Sequence, residues 1–126
     1  MADQSGERYR RQCQTLMAWV QAMQAGRTFD TYFLSHGYKN IALYGFGDMG
    51  EMFIKALTGT EIRVLYGIDE KQVPVEDIDV YRPGQNFPPA DCIVVTPTFA
   101  FEEIKNNLAG KTDIPLVSMD EVICSA

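Results

Sequence analysis

The chain has 126 residues, 46% of them hydrophobic, enough for one domain with one core. A formal net charge of −6 and a sequence pI of about 4.6 oppose binding that depends on neutralising a phosphate backbone, and exclude nucleic acid as the expected partner. No apolar run reaches the roughly 18 residues of a membrane span, so no membrane insertion is expected.

The N-terminal stretch MADQSGERYRRQ lacks the apolar centre of a signal peptide, which makes the cytoplasm the expected location. Cys13, Cys92 and Cys124 are widely spaced and odd in number, as expected of reduced thiols rather than of a zinc site or disulfide framework. Residues 6–25 read as a first helix. Cys13, Leu16, Val20 and Met23 recur at helical spacing, and Met17 and Trp19 widen the stripe. A second, short helix is predicted over 28–36, with Thr28 as N-cap, an apolar face of Phe29, Tyr32 and Phe33, and Gly37 beyond its last turn. His36, the single histidine, falls where the dipole at a helix C-terminus favours a cation, a more economical role than catalysis. These two helices form a lead-in, 1–37, that packs on a second unit, 38–126.

From Asn40 the pattern changes. Ile41 to Tyr44 is a short apolar run, as expected of a strand buried on both faces. A helix follows, with Met49, Met52, Phe53 and Ala56 on its apolar face. Residues 61–66 form a second strand that runs into Gly67-Ile68-Asp69. Residues 77–81 form a third, weaker strand, and the link before it, 70–76, is too short for an ordinary crossover helix. After a proline-marked loop, CIVVT at 92–96 is a fourth strand. A helix over 99–108 presents Phe101, Ile104 and Leu108. Residues 114–117 form a fifth strand, placed at an edge by Pro115, which has no ladder donor. Ser118 and Glu121 stand at capping-box spacing before a last helical turn. Strands alternating with helices imply a mostly parallel sheet with helices on both faces. The expected architecture is therefore α/β: a Rossmann-like five-stranded sheet in the order 3-2-1-4-5, preceded by two helices.

The chemistry-bearing segment is YGFGDMG, from Tyr44 to Gly50. Gly45, Gly47 and Gly50 follow the G-x-G-x-x-G spacing between a predicted strand and a predicted helix. The first permits the tight turn, the second lets a pyrophosphate approach the backbone, and the third lets helix and sheet pack closely. Phe46, Asp48 and Met49 complete the loop, whose helix N-terminus supplies N–H groups to an anion. Asp69 ends the next strand, where the fingerprint needs an acid for the ribose hydroxyls; the bland alternative is a solvated strand end. A carboxylate there repels a 2′-phosphate, so NAD is favoured over NADP if a dinucleotide binds. Asp48 points the other way, since it can cap the helix itself and occupy the anion position. Thr96, Pro97 and Thr98 follow the fourth strand beside the glycine loop, with Thr98 also placed to cap a helix. Tyr44 and Tyr66 each precede a glycine near a strand end, as expected of core rings with hydroxyls at the rim. No catalytic constellation and no metal cluster is apparent.

Through IALYGFGDMGEMFIKAL, IRVLYGIDEK and DCIVVTP, with Trp19 and TYFLSHGYKN ahead of them, the chain resembles small Rossmann-like domains of bacterial surface-polysaccharide proteins. Some of those are fused to or encoded beside glycosyltransferases, and others resemble the nucleotide-binding part of sugar-modifying enzymes such as sialic-acid-type acyltransferases. The resemblance spans Leu16 to Val122 and implies nucleotide or nucleotide-sugar handling, with Gly45, Gly47, Gly50 and Asp69 carried over. The expected function is a binding module for NAD or a nucleotide sugar, non-catalytic alone and serving a glycosyltransferase or sugar-modifying enzyme. The alternative is an interaction protein with a degenerate fold, acting as a homodimer through Trp19 and the Phe29, Tyr32 and Phe33 cluster. A third reading, an enzyme, needs a partner chain to supply the missing residues.

Overall fold

The apolar runs at 41–44 and 92–95 lie side by side in the interior of a sheet whose two faces are both covered. This computed structural model describes residues 4–71 and 78–125. The elements are α1 (Gln4–Gln24), α2 (Asp30–Ser35), β1 (Asn40–Tyr44), α3 (Asp48–Leu57), β2 (Arg63–Ile68), β3 (Asp79–Tyr81), β4 (Cys92–Val95), α4 (Phe101–Leu108), β5 (Leu116–Ser118) and α5 (Met119–Cys124). A single 3-10 turn, Thr98–Ala100, precedes α4. The strand order is β3-β2-β1-β4-β5, as expected, and every pairing is parallel. Ser118 caps α5, its hydroxyl accepting from the Asp120 N–H at 3.3 Å.

Side chains of β1 and β4 alternate between two cores. On one face Ile41, Leu43, Cys92 and Val94 meet α1, α2, α3 and α5. On the other, Ala42, Tyr44, Ile93 and Val95 meet Ile104 and Leu108 of α4. Each large side chain buried this way contributes about 1.5–3 kcal/mol. Helix α3 leaves β1 toward the first face and α4 leaves β4 toward the second. The crevice between the carboxyl ends of β1 and β4 is therefore the switch point of the fold.

Several local expectations are corrected. The first helix is rolled by about a third of a turn: Thr15, Trp19 and Ala22 are buried, whereas Leu16, Met17, Val20 and Met23 are exposed. Trp19 and the aromatic cluster are interior, not a free surface. Trp19 meets Phe29 edge-on at 5.0 Å and Phe53 at 6.1 Å, and Phe29 stacks on Phe53 at 5.9 Å. The small residues of the buried face let α1 sit close, and Asp120 of α5 fastens it by accepting from Thr15 Oγ1 at 2.6 Å and Arg11 Nε at 2.9 Å. Thr28 does not cap α2. Phe29 takes that position in an αR conformation with no side-chain cap, because its ring is held in the core. His36 ends α2 as expected, with Nδ1 2.8 Å from the Tyr32 carbonyl oxygen.

In α3 the buried residues are Gly50, Phe53 and Leu57, so Met52 and Ala56 lie outside the core face. Strand β2 starts and ends two residues later than expected. A bulge shifts its register, pairing Ile41 with Val64 but Ala42 with Tyr66, and leaves Leu65 as the extra, exposed residue. Asp77 and most of the short link before β3 lie outside the described residues. Cys13 and Cys124 are exposed and Cys92 is buried, all free; burial, then Asp91, pushes the Cys92 thiol up to about 12.

Candidate functional site

The three glycines of the turn are held to three separate requirements. Gly45 has φ +98°, and a Cβ there would meet Thr96 Oγ1 at 2.5 Å and Pro97 Cδ at 2.9 Å. The chain can thus leave β1 sharply, against the β4 loop, only without a side chain. A Cβ at Gly50 would stand 2.5 Å from the Gly45 carbonyl oxygen, so this glycine sets how closely α3 approaches the strand. Gly47 differs: nothing lies within 4 Å of where its Cβ would be. Its backbone faces open space at the crevice, which suits the close approach of a ligand.

Asp48 does not cap α3. It is the first helical residue, Gly47 is the N-cap, and no side chain caps the helix. Glu51 N–H donates to the Gly47 carbonyl at 3.1 Å, which begins the helical ladder. Among the described residues, the N–H groups of Asp48, Met49 and Gly50 have no acceptor. They are the orphan donors of the helix start.

Asp69 is neither a bare strand end nor free. Its Oδ2 accepts from the Phe46 N–H and its Oδ1 from the Lys71 N–H, each at 3.0 Å. The acid thus pins the glycine turn to the end of β2. The Phe46 ring turns inward and sets its Cε2–Cζ edge against Gly67, where a Cβ would collide with it. Thr96 closes the other side, its hydroxyl 3.0 Å from the Tyr44 carbonyl oxygen and 3.1 Å from that of Gly45. Thr98 is buried in the 3-10 turn and is no N-cap, because Ala100 precedes α4 without a side-chain cap.

These elements surround a cleft of about 790 Å³, within the range of small-molecule sites. Gly45, Phe46, Gly47, Asp48, Met49, Asp69, Thr96, Pro97 and Thr98 all line it; Gly50 lies behind them in the packing. Sequence reasoning missed a whole wall. Helix α1 contributes Arg8, Gln12, Thr15 and Leu16, since it crosses the 3-10 turn after β4. Arg8 stands 4.5 Å above the centroid of the Phe99 ring. Nothing local in the sequence marks that wall, because it depends on how α1 docks. Leu16, Met52 and Phe99 are partly exposed apolar residues on the lining.

The lining carries the carboxylates Asp48, Asp69, Glu70 and Glu103 against the cations Arg8 and Lys71. Burial first, then Glu70, Asp69 and Glu103, push the Tyr44 phenol up to about 12. The Tyr66 hydroxyl donates to the Pro88 carbonyl at 2.7 Å, a core ring with its hydroxyl satisfied. A second hollow of about 310 Å³ shares Asp69 and Lys71 with the cleft and is completed by Val80, Arg82 and Gln85. His36 lies outside both. Among the described residues no group of three or more His, Cys, Asp or Glu side chains is placed to hold a metal, and no helix is long and apolar enough to cross a membrane. No protein-family model matches the chain, and no curated protein and no solved structure matches it.

Proposed function

We propose that the chain is a binding module for a nucleotide whose diphosphate is esterified at both ends, NAD or a nucleotide sugar. The diphosphate would lie over Gly47, on the N–H groups at the start of α3. The observation that carries this reading is the open backbone at Gly47 beside three N–H groups without an acceptor, at the switch point of a doubly wound sheet. Leu16, Met52 and Phe99 offer an apolar surface to a flat ring. Asp69 uses one acceptor site on each oxygen for the turn and keeps others for ribose hydroxyls. The carboxylates of the lining select against ligands of high negative charge. NAD, whose nicotinamide ring is cationic, is therefore favoured over NADP or ATP. The resemblance to surface-polysaccharide proteins adds nucleotide sugars as ligands, with a glycosyltransferase or sugar-modifying enzyme as the protein served.

Thermal unfolding against NAD, NADP, coenzyme A, UDP-sugars, CMP-sugars and ATP tests the reading. A ligand at a hundred times its Kd adds about 2.7 kcal/mol, or roughly 10 °C in a domain of this size. A selective shift with NAD or a UDP-sugar is expected, with the CMP-sugars, which carry one phosphate, as the contrast. No shift with NAD or with any UDP-sugar refutes the proposal.

A further inference from the structure

Helix α1 buries one face and leaves a second apolar face uncovered. Tyr9 (67% exposed), Leu16 (38%), Met17 (63%), Val20 (51%) and Met23 (65%) stand on a face that adjoins that of Thr15, Trp19 and Ala22. With the exposed Cys13, the positions 9, 13, 16, 20 and 23 alternate steps of four and three. That is the heptad seam of a coiled coil, whose knobs fit a partner helix of the same spacing. The seam covers about 21 Å of helix at 1.5 Å per residue. Between Gln12 and Gly26 the sequence has no charged residue, although 22% of the chain is charged.

We infer that this face pairs with α1 of a second copy of the chain, in antiparallel sense. Two features select that occupant. The seam from Cys13 to Met23 is self-complementary, so a two-fold axis across it matches each of its four positions with another, while Tyr9 lies beyond the paired stretch. The seam residues together expose several hundred Å², more than scattered apolar residues account for. That area approaches the about 800 Å² per partner of a standard stable interface. The helix dipoles select the sense: parallel pairing aligns them side by side, whereas antiparallel pairing sets each N-terminal end beside the electronegative C-terminal end of the other helix. The arginines stay clear of the seam, since Arg11 binds Asp120 of α5 and Arg8 covers the Phe99 ring. In that register Leu16 of one copy meets Val20 of the other, and Cys13 meets Met23. Leu16 also lines the cleft, so the second copy borders its mouth. The interface does not depend on what the cleft binds.

Sedimentation of the full chain without ligand tests the inference, with Val20→Glu placing a charge on the seam and Gln21→Glu placing the same charge off it. The wild type and Gln21→Glu are expected to be dimers. Val20→Glu is expected to weaken self-association by roughly a hundredfold or more, with an unchanged far-UV spectrum. In a Cys124→Ser background, Met23→Cys is expected to give a covalent dimer with Cys13 under mild oxidation, whereas Cys13 alone gives none. A monomeric wild type, or a dimer that Val20→Glu leaves intact, overturns the proposal. A disulfide between the two Cys13 residues overturns its antiparallel sense.

Discussion

Gly67→Ala is the smallest change expected to disturb the glycine turn without touching it. Gly67 lies in β2 opposite Leu43, and the Phe46 ring occupies the space its side chain would need. An added Cβ would collide with the Cε2–Cζ edge of that ring and stand 3.0 Å from its Cδ2. The ring is only 4% exposed and cannot swing clear without leaving the core. Retaining it costs about 1–3 kcal/mol of overpacking, and expelling it about 3–5 kcal/mol. We expect about 3 kcal/mol. Phe46→Ala should cost about 3–5 kcal/mol alone. The double variant should cost little more than Phe46→Ala, because the new methyl enters space the ring has vacated. The coupling is then about 2–3 kcal/mol, the upper range for residues in contact. Urea unfolding followed by circular dichroism measures it. With a slope of about 2 kcal/mol per molar, Gly67→Ala lowers the midpoint by about 1.5 M. A midpoint shift worth less than about 0.5 kcal/mol, or strict additivity in the double variant, refutes the reasoning.

Trp19→Ala should cost about 3–5 kcal/mol in the same urea assay, since the buried ring packs edge-on against both Phe29 and Phe53. Asp69→Asn removes a charged acceptor from the Phe46 and Lys71 N–H groups and should cost about 1–2 kcal/mol. The same variant should weaken ligand binding, which calorimetric titration reads. Asp91 accepts from the Asn40 and Lys39 N–H groups, which hold its carboxyl below the usual range. Its stabilisation is present above the ordinary carboxylate pKa and is lost as the pH falls through the lowered folded value. Asp91→Asn should therefore show a smaller drop in Tm than the wild type as the pH falls through the carboxylate range.

The sheet was legible because its signals are local. Apolar runs at 41–44 and 92–95 and the glycine spacing were enough for strand order; β5 does lie at the edge, although it runs from Leu116 to Ser118 and leaves Pro115 just outside. Gly45 and Gly50 have the conformational and packing roles that their spacing implies. The rolls of α1 and α3 were not legible. Periodicity finds the most apolar stripe of a helix, not the one that meets the core. In α1 the buried face is built from Thr15 and Ala22 around one tryptophan, while the greasier stripe lies outside. In α3 the contact of Gly50 with the Gly45 carbonyl fixes the roll, so Phe53 and Leu57 face inward and Met52 faces the cleft. The shift of β2 follows from the bulge at Leu65, which no residue pattern announces. Within the site the loop residues were legible and the α1 wall was not, because Arg8 and Leu16 reach the cleft only through long-range docking.

The central claim is that the α3 N–H groups receive a ligand's diphosphate, and an NMR titration of backbone amides with NAD and with UDP-sugars tests it most directly. The account predicts that one of these ligands moves the amide signals of Asp48, Met49 and Gly50 in the wild type. It predicts no movement in Gly47→Asp, a variant whose added side chain finds open space and negative φ and so leaves the fold intact. Titrations that leave these amides unmoved in the wild type, or move them equally in folded Gly47→Asp, would contradict it.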